Sequence, residues 1–259
     1  MDAKAVKAAL VTHAKRQIAI DFACQPEDFD GPQNKVVVYR QHEKRRRFGK
    51  DAAEAFKIAC FGGAAVLTAP SKLKIPLQKL VTDKQGIWLF EFSNLMALDK
   101  VLQKEGFSYG ASHISYLPNP AWQPNERIEG KALRWFEQAE IEETLFQIKG
   151  LENALGYGKT ADRPDVLAVA AYDGTQIMGV AGASRDTNEM WQIGIDVFPA
   201  YRARRLGAGL VLALKEEIIK RGAIPYYSTS MSNLYSQNIA YNTGFFPAWV
   251  EGYGEKDAK

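Results

Sequence analysis

The stretch DVFPAYRARRLGAGLVLALKEEI, Asp196 to Ile218, constrains the fold more than any other. A strand pattern stops at Pro199. From Leu206 onward, Leu206, Leu210, Leu214 and Ile218 recur every four residues, the stripe of a helix with one buried face. Lys220 and Arg221 suit the negative end of that helix, and Gly222 suits its cap. The segment AIPYYSTS follows as a strand, so the helix is a crossover between strands of a sheet. Upstream, DVLAVAAYD and QIMGVAGAS are joined by Asp173-Gly174-Thr175, a hairpin signal. EMWQIGIDVF continues the meander after a turn at Arg185 to Asn188. KALRWFEQ precedes it as a strand, with a helical stretch expected from Ile141 to about Leu155. NLYSQNIAYN reads as a short helix and GFFPAWVEGY as a last strand. An antiparallel meander, a crossover helix and a strand–helix–strand ending give an α/β fold with a mixed sheet.

The seam LPNPAWQPNERIEG, Leu117 to Gly130, is proline-rich and lacks periodicity. It places the domain boundary at 125/126: an α+β amino-terminal domain over 1–125 and the α/β domain over 126–259. In the first, KVVVYRQ, AAVLTA and GIWLFEF read as strands. SNLMALDKVLQKEGF reads as a helix opened by Ser93 or Asn94 and closed by Gly106. The composition, 46% hydrophobic and 24% charged, is that of a soluble globular protein, and no apolar run approaches the ~20 residues of a membrane span. The charge-dotted first residues show no signal-peptide pattern. Cys24 and Cys60 follow no metal spacing and read as reduced thiols, which points to a cytoplasmic setting. A net charge of +3 demands no nucleic acid. The basic run Lys44 to Arg47 reads as a solvated face. His13, His42 and His113 are scattered and take no catalytic assignment, and no metal site is expected. A homodimer is compatible with everything above.

The opening stretch poses a chemical question. Arg202, Arg204 and Arg205 stand at the mouth of the crossover helix, with Gly207 and Gly209 just inside it. A helix start presents unpaired backbone N–H groups and the positive end of a dipole. Glycines let an anion approach the main chain, and guanidinium groups grip phosphate oxygens in pairs. These residues therefore fit a polyphosphate cradle. An arginine-rich solvated turn whose glycines serve helix packing is the competing reading.

Val197, Pro199, Tyr201 and Arg202, leading into this turn, resemble the acyl-CoA signature of the GNAT superfamily of N-acetyltransferases. The family pattern is Arg or Gln, two residues, Gly, one residue, Gly or Ala. Anchored on Val197-Pro199-Tyr201, it makes Arg202 the first position and puts Arg205 where a glycine is expected, with Gly207 at the second. A shift of two residues matches Arg204, Gly207 and Gly209 on a worse anchor, and the anchored register is preferred. Arg205 then requires a negative φ, with its guanidinium turned aside or onto the phosphate. A second element, Asn233, Ser236, Ala240, Gly244 and Phe245, resembles the family's later Asn-x-x-Ser…Ala-x-x-x-Gly-Phe signature. The likeness covers roughly the carboxy-terminal half, as in a two-domain bacterial branch of that superfamily.

The resemblance implies a splayed pair of parallel strands, WQIGIDV and IPYYSTS, receiving the pantetheine arm of acetyl-CoA. Ile195 and Val197 would pair with its amides, and one of their N–H groups would polarise the acyl carbonyl. The pyrophosphate would lie on Arg202, Ala203, Arg204, Arg205, Leu206, Gly207, Ala208 and Gly209, with Asn233 and Ser236 completing the cofactor site. The acceptor, a small-molecule or peptide amine, would attack directly in a ternary complex and must shed a proton. Strand parity and an expected place at the open end of the splay favour Glu189 as the base, ahead of Asp186 and Asp196. Many relatives protonate the leaving thiolate with a tyrosine where this chain has Ala240; Tyr241 and Tyr235 are the substitutes. Trp191, Tyr226 and Tyr227 are expected to line the acceptor cavity. The alternative is a degenerate module that binds acyl-CoA without turnover.

Overall fold

The computed structural model describes residues 2–40, 42–46, 56–124, 132–156, 163–202 and 205–256. Its helices are α1 (Ala3–Phe22), α2 (Ser71–Val81), α3 (Phe92–Leu102), α4 (Gln138–Glu143), α5 (Leu206–Lys220) and α6 (Leu234–Asn242). Its strands are β1 (Lys35–Val38), β2 (Lys57–Cys60), β3 (Ala65–Ala69), β4 (Phe107–Pro118), β5 (Ala132–Glu137), β6 (Asp165–Asp173), β7 (Gln176–Arg185), β8 (Met190–Val197), β9 (Ile224–Ser230) and β10 (Phe245–Lys256). The chain forms two compact units. One comprises Lys4–Ser115, Ser230–Ser232 and the chain from Pro247 onward; the other comprises Tyr116–Thr229 and Asn233–Phe246. The expected boundary at 125/126 lies outside the described residues.

In the amino-terminal unit the strand order is β1-β3-β2-β10-β4, with β1 and β3 parallel and β2 antiparallel to both β3 and β10. The β10 rungs Val250↔Cys60 to Tyr253↔Lys57 explain why the last strand completes this unit. Leu73, Leu77 and Val81 of α2 and Leu98 and Leu102 of α3 bury against Ile58, Leu67 and Phe107. GIWLFEF is not a strand here: Gly86–Phe90 is a 3-10 turn, and Phe92 already begins α3. A β-carbon on Gly86 would overlap the Gly63 carbonyl and the Ala65 amide, so only glycine lets this turn lie on the sheet edge. The basic run is a solvated face only in part: Lys44 is exposed and Arg45 half-buried. Arg46 is buried, with Nε 2.5 Å from Asp21 and a terminal nitrogen 2.7 Å from Glu251; Arg47 lies outside the described residues. Cys24 and Cys60 are free thiols, and burial pushes the Cys24 thiol up to about 12.

In the carboxy-terminal unit the order is β9-β8-β7-β6-β5, antiparallel except for the parallel pair β8–β9. The hairpin forms as expected, with Asp173 opposite Gln176 and Gly174 at φ +58°. Crossover helix α5 buries Leu206, Leu210, Leu214 and Ile218, each contributing about 1.5–3 kcal/mol of transfer free energy. Gly222 follows at φ +82°, the left-handed exit that glycine adopts without a β-carbon clash. The helix expected over Ile141 to Leu155 ends early: α4 stops at Glu143, a 3-10 turn covers Leu145–Gln147, and Gly150 takes φ +91°. The chain beyond lies directly on the sheet, because a β-carbon on Gly182 or Gly194 would overlap the carbonyls of Ala154 or Asn153. Trp122 packs on Gly244 and under the Lys215 ammonium, 4.4 Å from its ring centroid. Among the described residues no helix is long and apolar enough to cross a membrane.

Candidate active site

The site follows from how β8 and β9 pair. Their rungs run from Met190↔Ile224 to Ile193↔Tyr227 and stop there, although β8 continues to Val197 and β9 to Ser230. The sheet therefore forks beyond Ile193. Two hydrogen bonds fix which backbone edges face the fork. The Phe198 N–H donates to the Met178 carbonyl at 3.0 Å, so even-numbered residues of β8 turn their polar groups to β7. The Glu189 carbonyl accepts the Ile224 N–H at 2.7 Å, so odd-numbered residues turn theirs to β9. By this alternation Ile195 and Val197 present N–H and C=O to the fork. Arg202 reaches back to the same edge, its Nε donating to the Val197 carbonyl at 3.1 Å.

The side chains of β8 divide the same way. A β-carbon on Gly207 would stand 3.4 Å from Val197 Cγ2, 3.7 Å from Ile195 Cγ1 and 3.3 Å from Ile239 Cδ1. The odd face thus meets the start of α5 and the flank of α6. Arg205, the residue before α5, has φ +56°, contrary to the negative value its side chain was expected to require. The backbone is left-handed at the position where the anchored register expects glycine, at a cost of about 1–2 kcal/mol for an L-residue. The Arg205 carbonyl accepts the Gly209 N–H at 3.1 Å, so the amides of Leu206, Gly207 and Ala208 form the open amino-terminal turn of α5. Ala203 and Arg204 lie outside the described residues.

Three carboxylates were candidates for the base, and the structure treats them differently. Asp196 accepts from the Asn153 N–H at 2.7 Å, from its side-chain amide at 2.7 Å and from the Ala154 N–H at 2.8 Å. It anchors the loop over the even face. Asp186 is buried, paired with Arg163 Nε at 2.5 Å and hydrogen-bonded by Ser184 at 2.9 Å and by the Tyr226 hydroxyl. Arg163 and Tyr226 also bond Gln192, closing a polar network on the even face. Glu189 is exposed, in the turn before β8, at the paired end of the ladder. The expectation that it stands at the open end of the splay is corrected. It lies about 13 Å of strand from Ile193, at roughly 3.3 Å per residue.

The aromatic residues expected to share one cavity are divided between the two faces. Tyr226 belongs to the Asp186 network, while Trp191 and Tyr227 share the odd parity of Ile193. The Trp191 indole N–H is buried with no hydrogen-bond partner among the described residues. Tyr227 is buried beside Phe245, and its hydroxyl lies 2.6 Å from Ser236 Oγ. Asn233 caps α6, its side-chain oxygen accepting the Ser236 N–H at 3.1 Å. Ala240 is fully buried, Tyr235 is exposed, and Tyr241 sets its ring edge-on against Tyr116 at 5.5 Å. The Tyr227–Ser236 pair escaped the sequence reading because two adjacent strand tyrosines give no hint of which one meets a helix hydroxyl.

A mixed sheet that forks between two parallel strands, beside the open start of a glycine-bearing crossover helix, is the acyltransferase scaffold that the resemblance implies. Residues 127–245, just under half of the chain, match the family model described as Acetyltransferase (GNAT) family, which marks a GNAT acetyltransferase domain over that span. No curated protein matches it. Solved structures similar to it include a GCN5-related N-acetyltransferase-like protein from Streptococcus suis, at 14% identity and TM-score 0.45, covering 64% of this chain and 68% of that one. Another is a GNAT-family acetyltransferase from Colwellia psychrerythraea, at 13% identity and TM-score 0.44, covering 62% of each chain. A third is AAC(6')-Iy in complex with the bisubstrate analogue CoA-S-monomethyl-acetylneamine, at 19% identity and TM-score 0.36, covering 46% of this chain and 93% of that one.

Proposed function

We propose that the carboxy-terminal unit transfers an acetyl group from acetyl-CoA to a primary amine by direct attack in a ternary complex. The observation that carries this reading is the end of the β8–β9 ladder at Ile193↔Tyr227, which turns the backbone edges of Ile195 and Val197 to a fork beside the start of α5. An amide-bearing arm can enter such a fork as an added strand. Its partner at Val197 is the carbonyl that Arg202 Nε now holds at 3.1 Å, so cofactor entry would free that guanidinium for the pyrophosphate. The phosphates would rest on the amides of Leu206 to Ala208, with Arg205 alongside and Gly209 leaving room for their approach. Asn233 and Ser236 would border the arm from α6. A fork-facing N–H of Ile195 or Val197 would polarise the acyl carbonyl as charge develops on it.

An alkyl ammonium titrates near ~10, so the acceptor must lose a proton before it attacks. Asp196 and Asp186 hold structure together. Glu189 stands too far along the strand for direct contact, so the proton leaves through water with Glu189 as the distant end of the relay. Thiol release from acetyl-CoA with a panel of amines, alongside acetyl-CoA calorimetry, tests the reading. Amine-dependent release is the expected result; tight binding with no release on any amine would instead establish a binding module.

A further inference from the structure

The resemblance would place the tyrosine that protonates the leaving thiolate at position 240, which is a fully buried alanine in this chain. Tyr241 does not replace it, since its ring is turned against Tyr116. A hydroxyl nevertheless reaches the fork from a different element. Tyr227 sits on the last rung of the β8–β9 ladder, opposite Ile193, where the two strands part. Partners in a parallel register share a face, so Tyr227 points to the odd side with Ile193, Ile195 and Val197. Its ring is 2% exposed and its oxygen lies 2.6 Å from Ser236 Oγ. Ser236 and Ile239 are three residues apart on α6, on one helical face. Ile239 in turn packs at Gly207 beside Ile195 and Val197. The hydroxyl pair, the start of α5 and the splayed strand therefore lie on one side of the sheet, at the end of the ladder.

We propose that the Tyr227 hydroxyl donates the proton to the leaving sulfur of the acyl-CoA, with Ser236 as its positioning residue; this rests on the acyl-transfer reading above. The amine nitrogen bonds to the acyl carbon, the carbon–sulfur bond breaks, and its electron pair stays on sulfur. The sulfur takes the Tyr227 proton. Ser236 keeps its proton and donates a hydrogen bond to the phenolate oxygen, and the phenolate is reprotonated through water by the proton the amine nitrogen sheds. Burial pushes the Tyr227 phenol above its ordinary range, against a smaller opposing effect of the Ser236 hydrogen bond, which keeps it in the donor form at neutral pH.

The experiment is steady-state thiol release from acetyl-CoA with a diamine, an aminoglycoside and a tripeptide amine, beside calorimetry of acetyl-CoA binding. Tyr227→Phe keeps the ring and removes the proton. It should lower kcat about ten- to hundredfold, the low end for general acids because a thiolate already leaves readily, with acetyl-CoA affinity within about twofold of wild type. Ser236→Ala should lower kcat by about three- to tenfold, and adding it to Tyr227→Phe should cost little more in kcat, since the two act as a unit. A wild-type kcat in Tyr227→Phe overturns the proposal. If that variant does not fold, an unchanged kcat in Ser236→Ala overturns it instead. Wild-type protein that binds acetyl-CoA yet releases no thiol overturns the acyl-transfer reading first, and this proposal with it.

Discussion

Arg205 offers a direct test of how the helix start is built. Its φ of +56° places an L-residue in the left-handed region, which costs about 1–2 kcal/mol through the approach of Cβ to the following carbonyl. Glycine removes that cost but gives up about 0.5–1 kcal/mol of chain entropy on folding. Arg205→Gly should therefore be more stable than Arg205→Ala by about 0.5–1 kcal/mol. The alanine variant is the proper reference: it keeps the strained β-carbon, and both variants lose every contact of the guanidinium. Urea unfolding of the two, read as a shift in midpoint at constant slope, measures the difference. An alanine variant as stable as the glycine variant would refute the strain. The same pair separates two ways of holding pyrophosphate. If the guanidinium grips it, both variants should lose acetyl-CoA affinity alike, by about 1.5–3 kcal/mol for hydrogen bonds to a charged group. If close backbone approach matters more, the glycine variant should bind distinctly tighter than the alanine variant.

Gly194→Ala would push a β-carbon into the Asn153 carbonyl and lift the loop that Asp196 anchors, a loss of about 1–3 kcal/mol measurable by denaturation. Glu251→Ala would take one of its two carboxylate partners from the buried Arg46 guanidinium, which keeps Asp21, and should destabilise the amino-terminal unit by about 1–3 kcal/mol in the same assay. Burial lowers Lys57 and Lys215 from 10.5 to about 8, so between those values the unfolded chain binds protons that the folded chain has shed. Stability should thus rise from pH 8 toward 9; above 9 the Cys24 and Cys60 thiols, and above 10 the Tyr109, Tyr116 and Tyr227 phenols, resist ionisation in the fold and oppose the rise, and a urea midpoint that drops between pH 8 and 9 would contradict the sign. Glu189→Gln should lower kcat less than about tenfold, because its backbone lies far from the fork, and a larger loss at unchanged acetyl-CoA affinity would restore it as the direct base.

The parts of the fold visible in the sequence are those whose local pattern and tertiary role agree. The leucine stripe of α5, the Asp173-Gly174 hairpin and the left-handed Gly222 each follow from one local rule, and each forms where expected. Local pattern misleads where tertiary contacts outweigh it. GIWLFEF has the apolar run of a strand, but short apolar runs do not distinguish strand from turn, and the backbone of Gly86 must fit against Ala65. The periodic stretch after Ile141 gives up its helix because Asp196, far along the chain, takes the amides of Asn153 and Ala154. Pro76 hides α2 from any reading that treats proline as a break, yet the helix runs through it with Leu73, Leu77 and Val81 buried.

The same difference in information separates the two halves of the candidate site. A phosphate cradle is made largely of backbone, so its residues advertise themselves locally as glycines and arginines at a helix start. Proton transfer depends on which side chains already have partners, and that is decided by residues distant in sequence. Along the chain, strand parity alone separates Glu189 from Asp186 and Asp196. In the fold, Arg163, Ser184 and Tyr226 converge on Asp186, and the Asn153–Ala154 loop on Asp196. With the even face of β8 held by those contacts, the chemistry available at the fork is that of its odd face. There the nearest titratable hydroxyl on the ladder is Tyr227, held by Ser236. On the proposal above, the acid for the leaving group comes from β9 and the base is left to water, so loss of a single carboxylate should not abolish turnover in the thiol-release assay.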